Sequence, residues 1–276
     1  MDRKATARQT VEIMKQGFYE VDGKIVEISE LLEHAVKESV LLAPEQGAAF
    51  LEAYKPPRCS LSEKMPHEYF SVWSCSSVDA ILKLSAQGRQ DIAILNFASA
   101  KNPGGGFLNG AMAQEESLAA SSCLYKTLTA HEEYYQNNRL CNTMMYTDHA
   151  IYSPDVAFFR DGRFRLLKEP VTASVLTLPA VNMGQVLLKG ESVEEAERVM
   201  KRRMKLSLAI FAEYKCRHLI LGAYGCGVFR NDPNKIAAWW KELLENHFCD
   251  TFESIIFAVL DHSSSQSCIQ AFQKIF

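Results

Sequence analysis

Three consecutive glycines and two adjacent glutamates lie close together in the chain. In order, the residues are Gly104, Gly105 and Gly106, then seven others, then Gln114, Glu115 and Glu116. Glycine adopts backbone angles closed to other residues and lets main-chain N–H groups approach a ligand without an intervening Cβ atom. A carboxyl group can transfer a proton or hold a hydroxyl group. The pattern therefore predicts a loop for a phosphate-bearing ligand with acid–base chemistry beside it.

The flanking segments must position this loop. Ile92 to Phe97 is a short apolar run typical of a strand buried on both faces, and Ser117 to Leu128 has the apolar spacing of a helix. The glycines are then a strand-to-helix loop with the carboxylates at the start of the helix. Without these neighbours, a triple glycine is equally compatible with a flexible surface connection.

Two common phosphate motifs do not match this loop. It lacks the Gly-Lys-Ser/Thr ending of a P-loop and the spaced glycines of a dinucleotide-binding turn. The run NFASAKNPGGGFLNGAMAQEESLAASSCLY, residues 96–125, instead resembles the compact microbial branch of the poly(ADP-ribose) glycohydrolases. The run GAYGCGVFRNDP, residues 222–233, resembles the second phosphate loop of that family. Weaker matches at residues 8–19, 178–182 and 255–261 extend the resemblance over nearly the whole chain.

The resemblance implies a fold and an activity. The expected fold is a macrodomain-like three-layer α/β/α sandwich with a mostly parallel mixed sheet and an N-terminal helical extension. The expected reaction is hydrolysis of the ribose–ribose O-glycosidic bonds of poly(ADP-ribose), mostly from chain ends, which releases ADP-ribose. By resemblance, Glu116 is the general acid that protonates the departing ribose 2′-oxygen and then activates water, and Glu115 holds substrate hydroxyls. No metal or other cofactor is expected.

The same resemblance implies a set of substrate-binding residues. They are Gly104, Gly105, Gly106, Gln114, Gly225, Cys226, Gly227, Val228 and Phe229. Phe229 would pack against a ribose or its neighbour, although by itself it would be read as an ordinary core aromatic. Cys226 has no nearby histidine in sequence to activate it, so we assign it no catalytic role.

The adjacent carboxylates raise a question about protonation. Side chains of neighbouring residues on a helix diverge by about 100 degrees, so the pair is not expected to flank one bond as in ordinary glycosidases. A helix N-terminus favours ionised carboxylates, whereas a general acid must carry a proton. We hypothesise that Glu115 and the substrate diphosphate together raise the pKa of Glu116, because nearby like charges disfavour ionisation. An unchanged Glu116 pKa on ADP-ribose binding would refute this.

Composition limits the class of protein. The chain has 276 residues, a formal net charge of −3 and 8 cysteines without C-x-x-C pairs. It carries no broad basic field that would attract nucleic acid, and no apolar run long enough to span a membrane. The scattered cysteines predict reduced thiols, no zinc site and a cytoplasmic location. The expected partners are poly(ADP-ribose) or ADP-ribosylated macromolecules and the product ADP-ribose, with no membrane, no sequence-specific nucleic acid and a monomeric chain.

Periodicity divides the chain into an N-terminal extension, residues 1–66, packed on a catalytic core, residues 67–276. Prolines from Pro44 onwards predict an irregular excursion before the boundary. Beyond it, strands alternate with crossover helices, which indicates a largely parallel sheet covered on both faces. HEEYYQNNR, from His131, is interpreted as a polar helix end, and KRRMK, residues 201–205, as a solvated helical face.

Two alternatives to the glycohydrolase remain open. The first is a hydrolase for single ADP-ribose groups on protein or nucleic acid, which would use the same pocket with another leaving group. The second is a non-catalytic reader of ADP-ribose. The intact QEE sequence argues against a reader, because binding alone does not need an acid at the linkage.

Overall fold

A seven-stranded mixed sheet with helices on both faces forms the centre of the protein. The structure is a computed structural model that describes residues 2–56 and 69–276. The strands are β1 (Phe18–Val21), β2 (Lys24–Glu27), β3 (Val40–Leu42), β4 (Phe70–Trp73), β5 (Ile92–Ala98), β6 (Ala150–Arg160), β7 (Leu166–Pro179), β8 (His218–Leu221) and β9 (Ser254–Ala258). The helices are α1 (Arg3–Gln16), α2 (Ser29–Lys37), α3 (Pro44–Ala53), α4 (Ser77–Ala86), α5 (Gln114–Ser121), α6 (Leu124–Thr129), α7 (Glu132–Leu140), α8 (Met183–Lys189), α9 (Val193–Glu213), α10 (Pro233–Asn246) and α11 (Ser267–Ile275).

The sheet has the order β3-β6-β7-β5-β8-β9-β4. Strands β7, β5, β8, β9 and β4 pair in parallel, and β6 pairs antiparallel with β7 and β3. Alternate side chains of β5 enter two separate cores: Ala93 and Leu95 join the one under α9 and α10, while Ile92 and Ile94 join the one under α4 and α5. Burial on both faces explains the continuous apolar run. The predicted α/β sandwich is confirmed.

The N-terminal region is less separate than its sequence indicates. Helix α1 ends at Gly17 with a left-handed φ of 79°, and β1 and β2 form an antiparallel hairpin. Strand β3 then joins the main sheet, with Val40 opposite Tyr152. The excursion predicted from Pro44 begins instead as helix α3, because proline suits the first turn of a helix and Gly47 allows close packing on Leu206 of α9. The boundary between residues 66 and 67 falls beside the undescribed segment and stays a prediction.

Three other expectations need correction. The helix predicted from Ser117 to Leu128 is broken at Ser122, whose hydroxyl donates to Leu118 O and whose backbone bridges to Phe158 of β6. The segment from His131 forms α7 with Tyr134 and Tyr135 fully buried, so it is not a polar helix end.

Arg203, within KRRMK, is also fully buried rather than solvated. Its guanidinium donates to Asp148 and to the carbonyl oxygens of Met145 and Pro179, so it braces the segment before β6. A charge can be buried in this way because a carboxylate and carbonyl groups satisfy its donors.

Among the described cysteines, one differs from the expectation. Cys249 is disulfide-bonded, so the prediction of reduced thiols is wrong there. Free thiols are found at Cys75, Cys123, Cys141, Cys216, Cys226 and Cys268, and Cys59 lies outside the described residues.

Within residues 2–56 and 69–276, no helix is long and apolar enough to cross a membrane. The same ranges hold no group of three or more His, Cys, Asp or Glu side chains arranged to bind a metal ion.

Candidate active site

A cleft of about 1260 Å³ opens beyond the carboxyl ends of the parallel strands. Its walls come from the β5–α5 loop, the β8–α10 loop and the segment after β9. Loops that follow neighbouring parallel strands gather at one edge of a sheet, which is why segments distant in sequence meet here. Of the eleven predicted site residues, all except Gly104 line the cleft. Its volume exceeds the usual range for small-molecule sites, as expected for a long ligand.

The first glycine loop wraps closely around both glutamates. Gly104 and Gly105 have left-handed φ values of 64° and 60°. A Cβ atom on Gly105 would lie 2.3 Å from Glu116 Oε1 and 3.1 Å from Glu115 Oε2. The two carboxyl groups therefore converge on one point, although the two residues are adjacent on α5.

Backbone N–H donors on the loop explain this convergence. Gly106 N donates to Glu116 Oε1 over 2.9 Å, and Ser99 N donates to Glu115 Oε2 over 2.7 Å. Both carboxyl groups thus turn back towards the loop instead of diverging around the helix. Hydrogen bonds from backbone N–H groups to carboxylates are among the stronger ones in proteins, so the geometry is fixed before a ligand arrives.

Glu115 and Glu116 occupy different environments. The side chain of Glu115 is buried, with 3 % of the residue exposed, whereas Glu116 is partly exposed to the cleft. Burial raises the pKa of Glu115 to about 8, against the hydrogen bonds from Ser99 and Asn96, and the charge of Glu116 raises it further. At neutral pH the pair therefore carries a proton on Glu115. Because neutral Glu115 carries no charge that could raise the Glu116 pKa, only the substrate part of the hypothesis, a rise caused by the bound diphosphate, stays a prediction.

Gln114 ties the start of α5 to the central strand. Its Oε1 accepts from Phe97 N over 2.9 Å, and its Nε2 donates to Leu95 O over 2.9 Å and to Ser77 Oγ over 3.2 Å. The amide thus binds the backbone of β5 as a neighbouring strand would. Its predicted contact with substrate stays a prediction, while its contacts within the protein fix the position of the two glutamates.

Gly104 lies behind the cleft wall. A Cβ atom there would contact Phe107 Cδ1 at 3.0 Å and Ala119 Cβ at 3.2 Å, so the glycine permits the loop to pack on α5. A substrate contact through its backbone remains a prediction.

The second glycine loop is held from below by Asn231. Its Nδ2 donates to Gly225 O over 3.0 Å and to Val181 O over 2.8 Å. Gly225 has a φ of 74°, and a Cβ atom there would lie 2.6 Å from that Nδ2. Only glycine fits this position.

The rest of the second loop faces the cleft. Gly227 has open space around its Cα, Val228 is 82 % exposed, and the ring of Phe229 lies 6.1 Å from that of Tyr146. Cys226 shares a hydrogen bond with Cys268, which together with burial raises its pKa well above the usual range. The thiol of Cys226 therefore stays protonated, in keeping with a structural rather than nucleophilic role.

Several cleft residues are not among the predicted site residues. They include Arg3 of α1, Leu108 and Met112 beside the glutamates, and Asp261, His262 and Ser263 after β9. The segment after β9 follows a parallel strand, so its position could have been inferred from topology alone. The position of Arg3 could not be inferred in this way, because the packing of α1 against residues 107–110 is a long-range contact.

Comparison with known proteins assigns the family. Residues 7–161 match the family model described as microbial-type PARG, catalytic domain. No curated protein matches the chain. The crystal structure of poly(ADP-ribose) glycohydrolase from Thermomonospora curvata is 39 % identical with a TM-score of 0.92 and 99 % of each chain covered.

Two further structures of such enzymes hold ligands. The Thermomonospora curvata enzyme bound to the inhibitor ADP-HPD is 38 % identical, with a TM-score of 0.91 and 99 % of each chain covered. The Deinococcus radiodurans enzyme in complex with ADP-ribose is 39 % identical, with a TM-score of 0.82, and covers 93 % of this chain and 98 % of its own. The match over more than half of the chain shows that it belongs to the microbial-type poly(ADP-ribose) glycohydrolase family.

Proposed function

We propose that this protein hydrolyses the ribose–ribose O-glycosidic bonds of poly(ADP-ribose), mostly from chain ends, and releases ADP-ribose. The observation that carries the proposal is the convergence of two carboxyl groups, one buried and one facing the cleft, on the first glycine loop. A pair in unlike environments can divide the work between proton transfer and orientation.

Glu116 is the general acid and then the general base. Its protonated carboxyl group donates to the 2′-oxygen of the departing ribose as the bond from C1″ to that oxygen breaks and positive charge develops on the ribose ring. Water then adds to C1″, and the Glu116 carboxylate takes the proton that the water loses. The substrate's own phosphates stabilise the ring charge, so the protein mainly orients the reacting groups.

Glu115 orients the same linkage. Its Oε2 accepts from Ser99 N and lies on the side of Gly105, where its remaining lone pair can accept from a substrate hydroxyl. Because Glu115 is neutral at pH 7, the pair repels the incoming diphosphate less than two carboxylates would.

The second loop holds the diphosphate and ribose. Backbone N–H groups of Gly225, Cys226 and Gly227 would contact phosphate oxygens, and Phe229 would pack on the ribose. A monomeric enzyme in the cytoplasm, acting on the polymer or on ADP-ribosylated macromolecules, completes the proposal.

The test compares the wild type with Glu116→Gln and with Glu133→Gln, an exposed glutamate on α7. Release of free ADP-ribose from purified polymer is measured, and calorimetry measures ADP-ribose binding. We expect all three proteins to bind and only Glu116→Gln to lose release, by about 100-fold or more. If all bind and none releases, the polymer proposal fails. Proteins or nucleic acids carrying single ADP-ribose groups are then the next substrates to assay. If they release no ADP-ribose either, the protein is a non-catalytic reader of ADP-ribose.

A further inference from the structure

Asn96 is a fully buried polar residue in the otherwise apolar strand β5. Its Nδ2 donates to Glu115 Oε1 over 3.3 Å and to Thr177 Oγ1 over 3.1 Å, with Thr177 directly opposite on β7. Its Oδ1 has no hydrogen-bond partner among the described residues. A buried polar atom without a partner is unfavourable, and one end of this amide lacks a partner whichever way the amide is turned.

The protonation state of Glu115 decides which end of the amide should face it. A neutral carboxyl group carries one O–H donor. Its Oε2 already accepts from Ser99 N, so the proton belongs on Oε1, the oxygen that faces Asn96. That proton needs an acceptor, and the amide nitrogen cannot provide one.

A half-turn of the Asn96 amide provides the acceptor. The terminal amide torsion of asparagine is broad and roughly two-fold, so Oδ1 and Nδ2 can exchange places. Oδ1 then takes the position 3.3 Å from Glu115 Oε1 and 3.1 Å from Thr177 Oγ1. The Thr177 hydroxyl can donate as well as accept, so it serves either orientation.

We propose that Asn96 is a positioning residue that holds Glu115 in place in both protonation states. Its amide accepts from the neutral acid and donates to the carboxylate, and Thr177 follows either state. The inference rests on the proposed function, in which Glu115 orients the scissile linkage. The buried amide thus keeps the Glu115 carboxyl group directed at the substrate whether Glu115 is protonated or ionised.

The titratable groups that act on Glu115 come from two helices. Glu116, beside it on α5, raises its pKa, and Tyr134 and Tyr135 lie close to it on α7. Burial raises the pKa of both phenols above their usual range. They therefore stay neutral where Glu115 titrates, and a titration near pH 8 is not theirs.

The test uses Asn96→Leu, Asn96→Asp and, as a matched change of a fully buried asparagine, Asn138→Leu on α7. The first readout is the pH profile of kcat/KM on the polymer. The second is the melting temperature against pH, compared with the same variant carrying Glu115→Gln. The second readout needs no substrate, so it separates failure of this inference from failure of the glycohydrolase proposal.

For Asn96→Leu we expect the Glu115 titration to move upwards by about one pH unit, because the hydrogen bond that the carboxylate loses is stronger than the one that the neutral acid loses. The kcat should fall by about 10-fold or more, because the carboxyl group is no longer held. Asn96→Asp keeps an acceptor and adds a charge, so it should move the titration further up and lower kcat less. Asn138→Leu should leave the titration in place.

An unmoved titration in Asn96→Leu, or an equal shift in Asn138→Leu, would overturn the inference. If Asn96→Leu does not fold, Asn96→Asp provides the test. A Glu115 titration that is unmoved or lowered in Asn96→Asp would contradict the role of residue 96 as a hydrogen-bond acceptor.

Discussion

The two glycine loops face each other across the cleft, yet their glycines are required for different reasons. In the first loop, a Cβ atom on Gly105 would collide with the carboxyl groups of Glu116 and Glu115. In the second loop, Gly225 is required by its φ of 74° and by Asn231, while Gly227 has open space and Val228 is mostly exposed. The first loop positions the chemical groups, and the second presents a surface to the ligand. Similar glycine-rich sequences thus serve catalysis on one wall and binding on the other.

Gly105→Ala should have the largest effect, because it tests whether the first glycine loop positions the catalytic carboxyl groups. The added methyl group would lie 2.3 Å from Glu116 Oε1 at a φ of 60°, so the carboxyl group must move. We expect kcat on the polymer to fall by about 100-fold or more, with the far-ultraviolet circular dichroism spectrum unchanged. Near-normal kcat would show that the first loop does not position Glu116.

Gly225→Ala should instead act mainly on binding and stability. Its Cβ atom would lie 2.6 Å from Asn231 Nδ2 and 2.7 Å from Ala180 Cβ. Strain at this position should lower the free energy of unfolding by about 1–3 kcal/mol and weaken ADP-ribose binding. Chemical denaturation and calorimetry measure the two effects. A Gly225→Ala variant that lost only kcat would contradict the assignment of binding to the second loop.

Glu115→Gln sharpens the account of the first loop through pH. The Glu115 pKa rises from 4.5 to about 8 on folding, so the folded chain binds more protons than the unfolded chain between those values. The unfolding free energy that depends on Glu115 therefore decreases as pH rises from 4.5 to 8 and is constant outside that range.

Glutamine cannot ionise and avoids this loss. The melting temperature of Glu115→Gln minus that of the wild type should grow by several degrees from pH 5 to pH 8 and then level off. Differential scanning calorimetry across this range measures it. A melting-temperature difference that does not depend on pH would show that Glu115 does not hold the proton in this range.

The smallest effect is expected for Gly227→Ala. No atom lies within 4 Å of the added Cβ and the backbone is not left-handed, so stability should change by less than about 0.5 kcal/mol. Phe229→Ala, two residues later, should weaken ADP-ribose binding several-fold, because the ring borders the cleft. Equal affinities for these two variants would remove Phe229 from the binding surface.

The fold and the two loops could be predicted from sequence because their signals are local. The apolar run of β5 and the glycines that follow it are each recognisable from neighbouring residues. The pairing of β3 with β6 could not be predicted, because it joins residues more than a hundred positions apart.

The site shows the same limit. The glutamates were identified, but their convergence was not, because it depends on N–H donors at Ser99 and Gly106 that turn both side chains back. The proton on Glu115 and the role of Asn96 depend on burial, which no local pattern reports. The burial of Arg203 could not be predicted either, because its partner Asp148 lies far away in sequence.

Leaving-group dependence tests the central claim, that Glu116 transfers the proton while Glu115 orients the linkage. Glu116→Gln and Glu115→Gln are assayed on the polymer and on ADP-ribose that carries 4-nitrophenol at ribose C1″ in the same anomeric configuration. Nitrophenolate departs without a proton, so Glu116→Gln should lose about 100-fold or more on the polymer and far less on the nitrophenyl substrate. Glu115→Gln should lose similar amounts on both. Equal losses for Glu116→Gln on the two substrates would contradict the account.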